Sequence, residues 1–404
     1  MHVIAPDRYH LKTKPRRHKP YLRILLGLVL IAGLINYARP LPAPVTQLTV
    51  SVPSSVVQPT IAWPGGGQAA IAAAGYGLLG ANGDQTPLAT ASIAKVITAL
   101  CVLQKQPLSV GESGPTYTVS SRDVAIYNDY VAQDGSVMAV AAGEQLTEYQ
   151  ALEALMIPSA NNVADSLVRW VFGSHDAYAA YATAYLQQNG LEATHIGSDA
   201  SGFEPDTTST ASDLASLGLL ALQSPVLLQI ASQHYVTLPV AGTVYNYNTV
   251  LGQNGITGLK TGNNDADPGA FLFTSVERIG GKDVPLTGAV MGAADLETAL
   301  QDSVRLSSSL QQGFEQVTVA QTGQAVGLLQ TAWGQQVAIK STKPLQVIRW
   351  KGTPITEKHT LRTDIRSGDV GSMQISSGQA KSVSTLRLGR DIPGPSFWWR
   401  LTRH

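Results

Sequence analysis

Apolar residues recur at regular spacing along most of this chain, and changes in that spacing predict its secondary structure. Spacing of three and four residues predicts helices, and shorter alternating or continuous apolar runs predict strands. The predicted helices cover Ser92–Leu103, Leu146–Trp170 with a break at Pro158, Ser174–Asn189 and Ser209–Leu222. The predicted strands cover Gln68–Gly80 with a turn at Gly75, Ala270–Val276 and Val284–Met291. Strands on both sides of a helical middle predict a layered α/β or α+β domain over residues 61–315.

The pattern changes after Val317, where only short strand-like runs remain between glycine and proline breaks. These runs are Val317–Ala320, Gln336–Ile339, Leu345–Trp350 and Ser384–Leu388. They predict a separate small β domain over residues 316–394. Residues 395–404 then form a tail in which aromatic and basic side chains occur close together. For this tail we keep two interpretations, packing against the β domain and interfacial contact with a membrane.

The start of the chain combines a basic segment with an unbroken apolar run. Seven lysine and arginine residues lie within residues 1–23, and Ile24–Ile35 is entirely apolar. An uncleaved signal anchor over residues 24–38 explains both features, with the basic side in the cytoplasm and the remainder outside. A cleaved signal peptide is one alternative, but the long basic region and the missing A-x-A site speak against it. A buried soluble helix is the other, but it would not explain the basic residues that precede the apolar run. Residues 39–60, rich in Pro, Val and Ser, predict an extended linker.

Composition narrows the function by exclusion. The 404 residues are 44% hydrophobic and 14% charged, with 28 basic and 28 acidic side chains. This balance gives no electrostatic reason to bind nucleic acid. The single cysteine, Cys101, cannot form an intramolecular disulfide, and its apolar surroundings predict a small buried side chain rather than a catalytic thiol.

Three short motifs occur in one order and carry the candidate chemistry. Ser92-Ile93-Ala94-Lys95 has the form SxxK, Ser159-Ala160-Asn161 has the form SxN, and Lys260-Thr261-Gly262 reads KTG. A serine hydroxyl becomes a good nucleophile only when a base takes its proton, and Lys95, three residues from Ser92 on a predicted helix, is within reach. A lysine acts as a base only if burial or a second cation lowers its pKa, and Lys260 is the candidate for that cation.

Each motif alone is weak, because SxxK and SxN arise by chance in a chain of this length. Their order, their spacing and their predicted settings together are specific. SxxK opens an apolar helix, SxN follows a helix and a proline, and KTG leads into strand-like sequence. The set therefore predicts serine acyl transfer with a lysine base.

The residues around these motifs resemble the serine-type D-alanyl-D-alanine carboxypeptidases, the low-molecular-mass penicillin-binding proteins. The resemblance covers roughly Trp63 to Phe314. The segments that carry it are Pro87–Leu100, Gly143–Thr147, Ile157–Asn162, Gly190-Leu191 with Thr194-His195, Ser201-Gly202, Ser209–Ala211 with Asp213-Leu214, Asn248 and Gly258–Gly262. It implies an α/β (α+β) transpeptidase domain like that of penicillin-binding proteins and β-lactamases, with a small carboxyl-terminal β domain.

The resemblance also implies catalytic roles for three residues. Ser92 is expected to be acylated by the penultimate D-Ala carbonyl of a peptidoglycan stem peptide, with release of the terminal D-Ala. Lys95 is expected to be the base, and Ser159 to pass a proton to the leaving amine. No metal and no other cofactor is expected.

The resemblance implies that residues of the SxN and KTG motifs bind the substrate. Asn161 would hold the substrate amide, and Lys260, Thr261 and Gly262 would line the place of the terminal carboxylate. The backbone N–H groups of Ser92 and Asn263 would form the oxyanion hole. β-Lactam antibiotics are expected inhibitors, and the enzyme is expected to be a single-pass protein of the cell membrane with its catalytic domain outside.

The chain departs from the family pattern at two places. After KTG the family usually has a His or Tyr, a Thr and later an Ala-Gly pair, whereas this chain has Asn263–Ala270 without them. Many members also carry an Arg soon after the strand that here ends at Gly292. Residues 293–300 contain no Arg, and Arg305 comes later. The first departure lies at the rim of the strand expected to supply the oxyanion hole, and the second where the substrate carboxylate would be bound.

Three other functions compete with carboxypeptidase activity. A class A β-lactamase needs an E-x-x-L-N loop between SxN and KTG, and neither Glu192 nor Glu204 begins one. D,D-endopeptidase action on peptide cross-links uses the same site and stays open. A catalytically silent wall-binding protein is disfavoured because all three motifs are intact.

Overall fold

The structure of the protein is a computed structural model that describes residues 20–53, 57–264, 267–362 and 365–403. Most of the predicted cytoplasmic basic segment, residues 1–19, lies outside the described residues, as does His404 of the predicted tail. Residues 54–56 of the predicted linker and residues 265–266, just after KTG, also lie outside them.

The helices follow the apolar spacing of the sequence, and several begin at side chains that cap their free N–H groups. Thr147 caps one helix by accepting from the N–H of Gln150 at 3.2 Å, and Thr210 caps another by accepting from the N–H of Asp213 at 3.1 Å. The helices are α1 Pro20–Ala38, α2 Ala94–Lys105, α3 Ser121–Val131, α4 Glu148–Met156, α5 Asn161–Phe172, α6 His175–Gln188, α7 Ala211–Ala221, α8 Pro225–Ala231, α9 Leu296–Leu310 and α10 Phe397–Thr402.

The strands are all paired in antiparallel fashion. In chain order the strands before α9 are β1 Val45–Leu48, β2 Gln68–Ala73, β3 Gly77–Asn82, β4 Leu88–Ala89, β5 Thr116–Thr118, β6 Gln145–Thr147, β7 Thr208–Ser209, β8 Tyr235–Leu238, β9 Gly242–Tyr245, β10 Ile256–Asn264, β11 Asp267–Ile279 and β12 Lys282–Ala293. The later strands are β13 Phe314–Ala320, β14 Ala325–Gln330, β15 Gln336–Ser341, β16 Leu345–Trp350, β17 Thr356–Leu361, β18 Asp369–Ser377 and β19 Ala380–Leu388.

A five-stranded sheet in the order β10-β11-β12-β2-β3 divides the larger part of the molecule into two cores. Successive residues of β2 pack into the two cores in turn. Ala70 and Ala72 pack toward α7 and the helical layer, and Ile71 packs toward α9. Strand residues point alternately to opposite faces, so a sheet covered on both faces is apolar throughout. All six residues of β2 are accordingly buried. β10 forms an edge of this sheet.

The carboxyl-terminal part contains a six-stranded sheet in the order β1-β14-β15-β19-β18-β17 and a two-stranded sheet of β13 and β16. β1 comes from the segment 39–60, for which the sequence predicts an extended linker. In the structure Val45 pairs with Gln330 and Leu48 with Gly327. Val45–Leu48 are thus extended and also paired with β14, which the sequence pattern does not indicate. The boundaries assigned to the two domains remain a prediction.

The two ends of the chain meet beside this sheet. Among the described residues, α1 is a continuous helix long and apolar enough to cross a membrane, and none of its 18-residue apolar window is buried. α7 and α8 pass the same test only as a pair and are bent by 110° at their junction. α10, formed by the aromatic and basic tail, packs against α1, with the rings of Tyr37 and Phe397 5.7 Å apart.

Candidate active site

Ser92 lies in a 3-10 turn, Ala91–Ile93, that leads into α2. The turn is held in an uncommon backbone conformation, because Ala91 has a φ of 44°, a value that non-glycine residues rarely adopt. Gly202 packs directly under this turn with a φ of 70°, and a Cβ there would collide with the carbonyl oxygen of Ala91. The Ser201-Gly202 pair of the sequence therefore supports the turn that presents Ser92.

Lys95 is the centre of the site. Its side chain is fully buried, and its Nζ lies 2.8 Å from Ser92 Oγ, 2.7 Å from Asn161 Oδ1 and 2.9 Å from the Ser201 carbonyl oxygen. Three acceptors match the three N–H bonds of an ammonium group. The amine is consequently fixed in direction, with one of its three contacts on the serine oxygen.

The SxN motif lies in the loop between α4 and α5. Ser159 is buried, and its φ of 59° turns the chain sharply after Pro158. Asn161 begins α5, and its backbone N–H donates to the Ser136 carbonyl at 2.8 Å. Asn162 donates to and accepts from the backbone of Met138, both at 3.0 Å. These bonds tie the segment 136–138 to the start of α5 beside Lys95.

The KTG motif lies on the edge strand β10, and Gly262 determines how close that strand comes to the nucleophile. A Cβ on Gly262 would lie 2.8 Å from the Thr90 carbonyl oxygen and 3.1 Å from Ile93 Cγ1. A larger residue would therefore push β10 away from the turn that carries Ser92. Lys260 and Thr261 are both buried, and Lys260 Nζ donates to the Thr261 carbonyl at 3.1 Å.

Asn263 is exposed at the end of the described part of this motif region. It falls at a shift in register, because Gly262 pairs with Ala270 while Asn264 pairs with Asp267. A bulge of this kind leaves one residue outside the regular ladder, and bulges are common next to active sites. The oxyanion role assigned to the Asn263 N–H stays a prediction.

Burial controls the charge of both lysines. Burial first, and then the positive charge of Lys260, hold the pKa of Lys95 well below its usual value of 10.5, while Asp199 and Asp165 act in the opposite direction. Burial also lowers the pKa of Lys260 from 10.5 to about 7. A lowered pKa makes it easier for Lys95 to release a proton and present the lone pair that a base needs.

Two residues that sequence reasoning left without a role complete the cluster. The Ser201 carbonyl accepts from Lys95, and the Asp199 carboxylate shapes the turn around it. Asp199 accepts from the Ser201 hydroxyl at 2.7 Å and from the Glu204 N–H at 2.9 Å. The sequence Asp199-Ala200-Ser201-Gly202 could have predicted this turn, because an aspartate side chain often accepts a hydrogen bond from the backbone N–H two residues later.

The structure joins the predicted residues to different degrees. Ser92, Lys95 and Asn161 are linked by direct hydrogen bonds, and Lys260 acts on Lys95 through its charge. Within the described part of the chain, no hydrogen bond is recorded for the Ser159 hydroxyl. The described residues also contain no group of three or more His, Cys, Asp or Glu side chains that could hold a metal ion.

Solved structures that match this fold include penicillin-binding protein 5, a DD-transpeptidase and a D-alanyl-D-alanine carboxypeptidase. Penicillin-binding protein 5 from Haemophilus influenzae matches with a TM-score of 0.56 and 17% identity, over 84% of this chain and 100% of its own. The Streptomyces K15 DD-transpeptidase matches with a TM-score of 0.54 and 22% identity, over 63% and 98%. The D-alanyl-D-alanine carboxypeptidase DacD from Francisella tularensis matches with a TM-score of 0.57 and 14% identity, over 85% and 97%. At these identities the matches show the fold, and they confirm the predicted fold class.

The sequence itself carries the family relationship. No curated protein matches this chain at a significant level. The model of the peptidase family S11, described as D-alanyl-D-alanine carboxypeptidase, matches residues 70–295. This span contains all three motifs and more than half of the chain. The resemblance seen in the sequence is confirmed: the chain belongs to the D-alanyl-D-alanine carboxypeptidase family S11 and is a serine-type enzyme of that class.

Proposed function

We propose that this protein is a membrane-attached peptidoglycan carboxypeptidase that removes the terminal D-Ala of stem peptides through an acyl-enzyme on Ser92. The observation that carries the proposal is the position of Lys95 Nζ, 2.8 Å from Ser92 Oγ in a fully buried setting. An amine in that position is the only buried base within hydrogen-bond distance of the Ser92 hydroxyl among the described residues.

Acylation begins when Ser92 Oγ attacks the carbonyl carbon of the penultimate D-Ala and its proton passes to Lys95 Nζ. The negative oxygen that forms is stabilised by the backbone N–H groups of Ser92 and Asn263. Collapse of this intermediate breaks the peptide C–N bond. The proton held by Lys95 passes through the Ser159 hydroxyl to the leaving amine, and free D-Ala departs. Water then attacks the ester carbonyl and gives a proton to Lys95. The bond to Ser92 Oγ breaks, Lys95 returns the proton to that oxygen, and the shortened stem peptide is released.

Substrate selection rests on the KTG strand and on Asn161. Lys260, when charged, attracts the terminal carboxylate, and the Thr261 hydroxyl donates to it. Asn161 Oδ1 accepts from Lys95, which leaves its Nδ2 group to donate to the substrate amide carbonyl. Arg305 does not replace the arginine that many family members carry after the strand, because it is paired with Asp302 on α9. Carboxylate binding therefore depends on Lys260 and Thr261.

Attachment to the membrane rests on α1. Its apolar side chains are exposed, for example Leu22 at 73% and Leu34 at 66%, and an exposed apolar surface of this length is stable in a bilayer. The basic residues that precede α1 favour a cytoplasmic amino terminus, which puts the catalytic domain outside. Extraction of membranes with alkaline carbonate tests this: the full chain should stay with the lipid, and release into solution would exclude an uncleaved anchor.

The experiment for the catalytic role uses two readouts on the full chain. A fluorescent penicillin should label the wild type, and a peptide ending in D-Ala-D-Ala should release free D-Ala. Ser92→Ala should abolish both, whereas Ser308→Ala, an exposed serine on α9, should change neither. Labelling that persists in Ser92→Ala would overturn the Ser92 assignment. Rapid hydrolysis of the penicillin would favour a β-lactamase instead.

A further inference from the structure

A cavity of about 490 Å³ lies where α1 ends and the described chain turns toward β1. One wall is the segment 38–44 that leaves the helix. The opposite wall is formed by Trp333, Ile365 and Ile392 beside the six-stranded sheet, and by Arg400 of α10. The cavity is therefore bounded by the predicted outer end of the membrane helix, by the β domain and by the carboxyl-terminal helix. We call it the arginine pocket, after Arg39, Arg366 and Arg400 in its lining.

The three arginines give the pocket a positive charge that the described residues do not neutralise. None of them forms an ion pair with a carboxylate of the described chain. Arg366 instead lies over the ring of Trp333 at 5.8 Å, Arg400 lies over the ring of Tyr37 at 5.3 Å, and Arg39 Nη1 makes a long contact of 3.4 Å with Asn36 Oδ1. Stacking on a ring leaves the N–H groups at the edge of a guanidinium free to donate.

Hydrogen bonds join the end of α1 to the end of α10 beside the pocket. Arg403 donates from Nη2 to the Asn36 carbonyl at 2.6 Å and from Nη1 to the Pro40 carbonyl at 3.1 Å. Asn36 Nδ2 donates in return to the Leu401 carbonyl at 3.3 Å. A cation that binds the free carbonyls at the end of α1 is favoured there by the helix dipole. α10 is thereby fixed at the helix end, with Arg400 facing the cavity.

Aromatic side chains mark the depth at which the pocket would lie. Phe397 is 59% exposed and Trp398 71% exposed on α10, and Tyr37 on α1 is half exposed beside them. Exposed Trp and Tyr side chains at the end of an apolar helix are typical of the region of lipid headgroups. In a membrane-inserted chain the arginine pocket lies level with these rings.

We propose that the arginine pocket binds the phosphate of an anionic phospholipid headgroup at the outer surface of the membrane. This inference rests on the membrane attachment proposed above. Guanidinium groups bind phosphate oxygens through paired N–H donors, and the apolar wall of Trp333, Ile365 and Ile392 suits the glycerol part of the lipid. The bound lipid would join α1, α10 and the β domain, and so hold the enzyme at a set height above the bilayer.

The test measures lipid retention by native mass spectrometry on the full chain in neutral detergent. The wild type should retain one short-chain phosphatidylglycerol and release phosphatidylcholine of the same chain length. Arg366→Gln should weaken phosphatidylglycerol binding roughly five- to tenfold, and Arg366→Lys less, because it keeps the charge but loses the paired donors. Arg278→Gln is the matched control, since Arg278 pairs with Asp283 on the exposed β11–β12 turn. Melting curves verify that each variant is folded.

Three results would overturn the lipid assignment. Equal retention of the two lipids would exclude a headgroup phosphate site, as would unchanged retention in folded Arg366→Gln. Displacement of the lipid by an equal concentration of inorganic phosphate would show a site for a soluble anion. The catalytic proposal fails separately: a wild type that is not labelled by penicillin but retains phosphatidylglycerol contradicts the enzyme mechanism and leaves the pocket assignment in place.

Discussion

The catalytic domain and the β domain place their charged side chains in different ways. Among the described residues, the buried charged side chains between residues 61 and 315 are Lys95, Asp123, Glu148, Glu153, Asp199, Lys260 and Asp302. In the predicted β domain, Arg349 is the one buried charged side chain that the described residues include, and it donates to Glu315 at 2.7 Å and to the Pro53 carbonyl at 2.8 Å. Its other ion pairs, such as Asp369 with Arg387, lie at the surface.

Burying a charge costs free energy unless hydrogen bonds replace the lost water. Residues 61–315 bury Lys95, whose proposed role as a base requires a low pKa, and Lys260, whose proposed role is to bind a carboxylate; for Asp123 several donors offset the cost. The β domain has no such requirement, so its charges stay in water. The contrast predicts that substitutions of buried charges in the catalytic domain have large effects, of either sign, and that substitutions of charged pairs in the β domain have small ones.

The largest effect is expected from Lys95→Gln. Glutamine can keep hydrogen bonds to Asn161 or Ser201 but cannot take the Ser92 proton, so the acylation rate should fall about 10³-fold. The measurement is the rate of labelling by a fluorescent penicillin. Lys105→Gln at the exposed end of the same helix is the control and should react like the wild type. A rate within tenfold of the wild type would exclude Lys95 as the base.

Lys260→Met separates function from stability. Loss of the charge that binds the substrate carboxylate should lower kcat/KM roughly 100-fold, as measured by D-Ala release. The same change should raise the free energy of unfolding at pH 7. The fall of the Lys260 pKa from 10.5 to about 7 limits this gain to about 5 kcal/mol, at about 1.4 kcal/mol for each pKa unit.

The pH dependence of the unfolding free energy tests whether the buried charge of Lys260 destabilises the fold. Between pH 7 and 10.5 the unfolded chain keeps a proton that folded Lys260 has released, so the stability of the wild type should rise with pH over this range. Urea unfolding of wild type and Lys260→Met at several pH values measures the difference, which should shrink as pH rises. A variant that is less stable than the wild type at pH 7 would contradict the view that this buried charge destabilises the fold.

Asp123→Asn tests how much a buried carboxylate that accepts several hydrogen bonds contributes to stability. Its carboxylate accepts from Ser166 Oγ at 2.7 Å and from Arg169 Nη1 at 2.8 Å. Burial alone would raise its pKa, but hydrogen bonds, chiefly from Ser120 and Ser166, outweigh burial and lower the pKa to about 2. The substitution should cost about 2–3 kcal/mol of unfolding free energy near neutral pH.

The Asp123 contribution has a defined pH range and a matched control. It is fully present above the unfolded pKa of about 4 and is lost as pH falls toward 2. Asp129→Asn, an exposed aspartate on the same helix, should leave the urea midpoint unchanged. Equal effects of the two substitutions would show that burial of Asp123 carries no special stability.

The smallest effect is expected from Arg387→Gln. Arg387 and Asp369 lie on β19 and β18, their side chains are 60% and 49% exposed, and water and salt screen such pairs. The melting temperature should not change measurably. A loss as large as that of Asp123→Asn would mean that the β domain depends on charge as much as the catalytic domain does.

Local pattern and motif predicted much of the catalytic domain. The break at Pro158 separates α4 from α5 as expected, and the run Gln68–Gly80 forms β2 and β3 around Gly75. The candidate residues Ser92, Lys95 and Asn161 meet in space because each lies at the start of a helix packed in one core. The helix α9 was not predicted, although its apolar residues pack against β11.

The remaining features depend on contacts that no local pattern contains. β1 is four residues long with no buried position, and only its distant partner β14 makes it a strand. α10 is ordered by α1, from the other end of the chain. The close approach of Gly262 to Thr90 and the support of Ala91 by Gly202 are likewise meetings of distant segments. Such contacts follow from the assembled fold and not from residue spacing.

β1 also determines how force would travel through a membrane-tethered molecule. The chain leaves α1 and, after a short stretch, enters the edge of the six-stranded sheet, where Val45 pairs with Gln330. Tension between the bilayer and a wall-bound substrate would therefore load the β1–β14 hydrogen bonds and the Arg403 contacts before it reached the catalytic domain. The β1–β14 pairing is therefore one of the elements that would carry the load between the anchor and the catalytic domain.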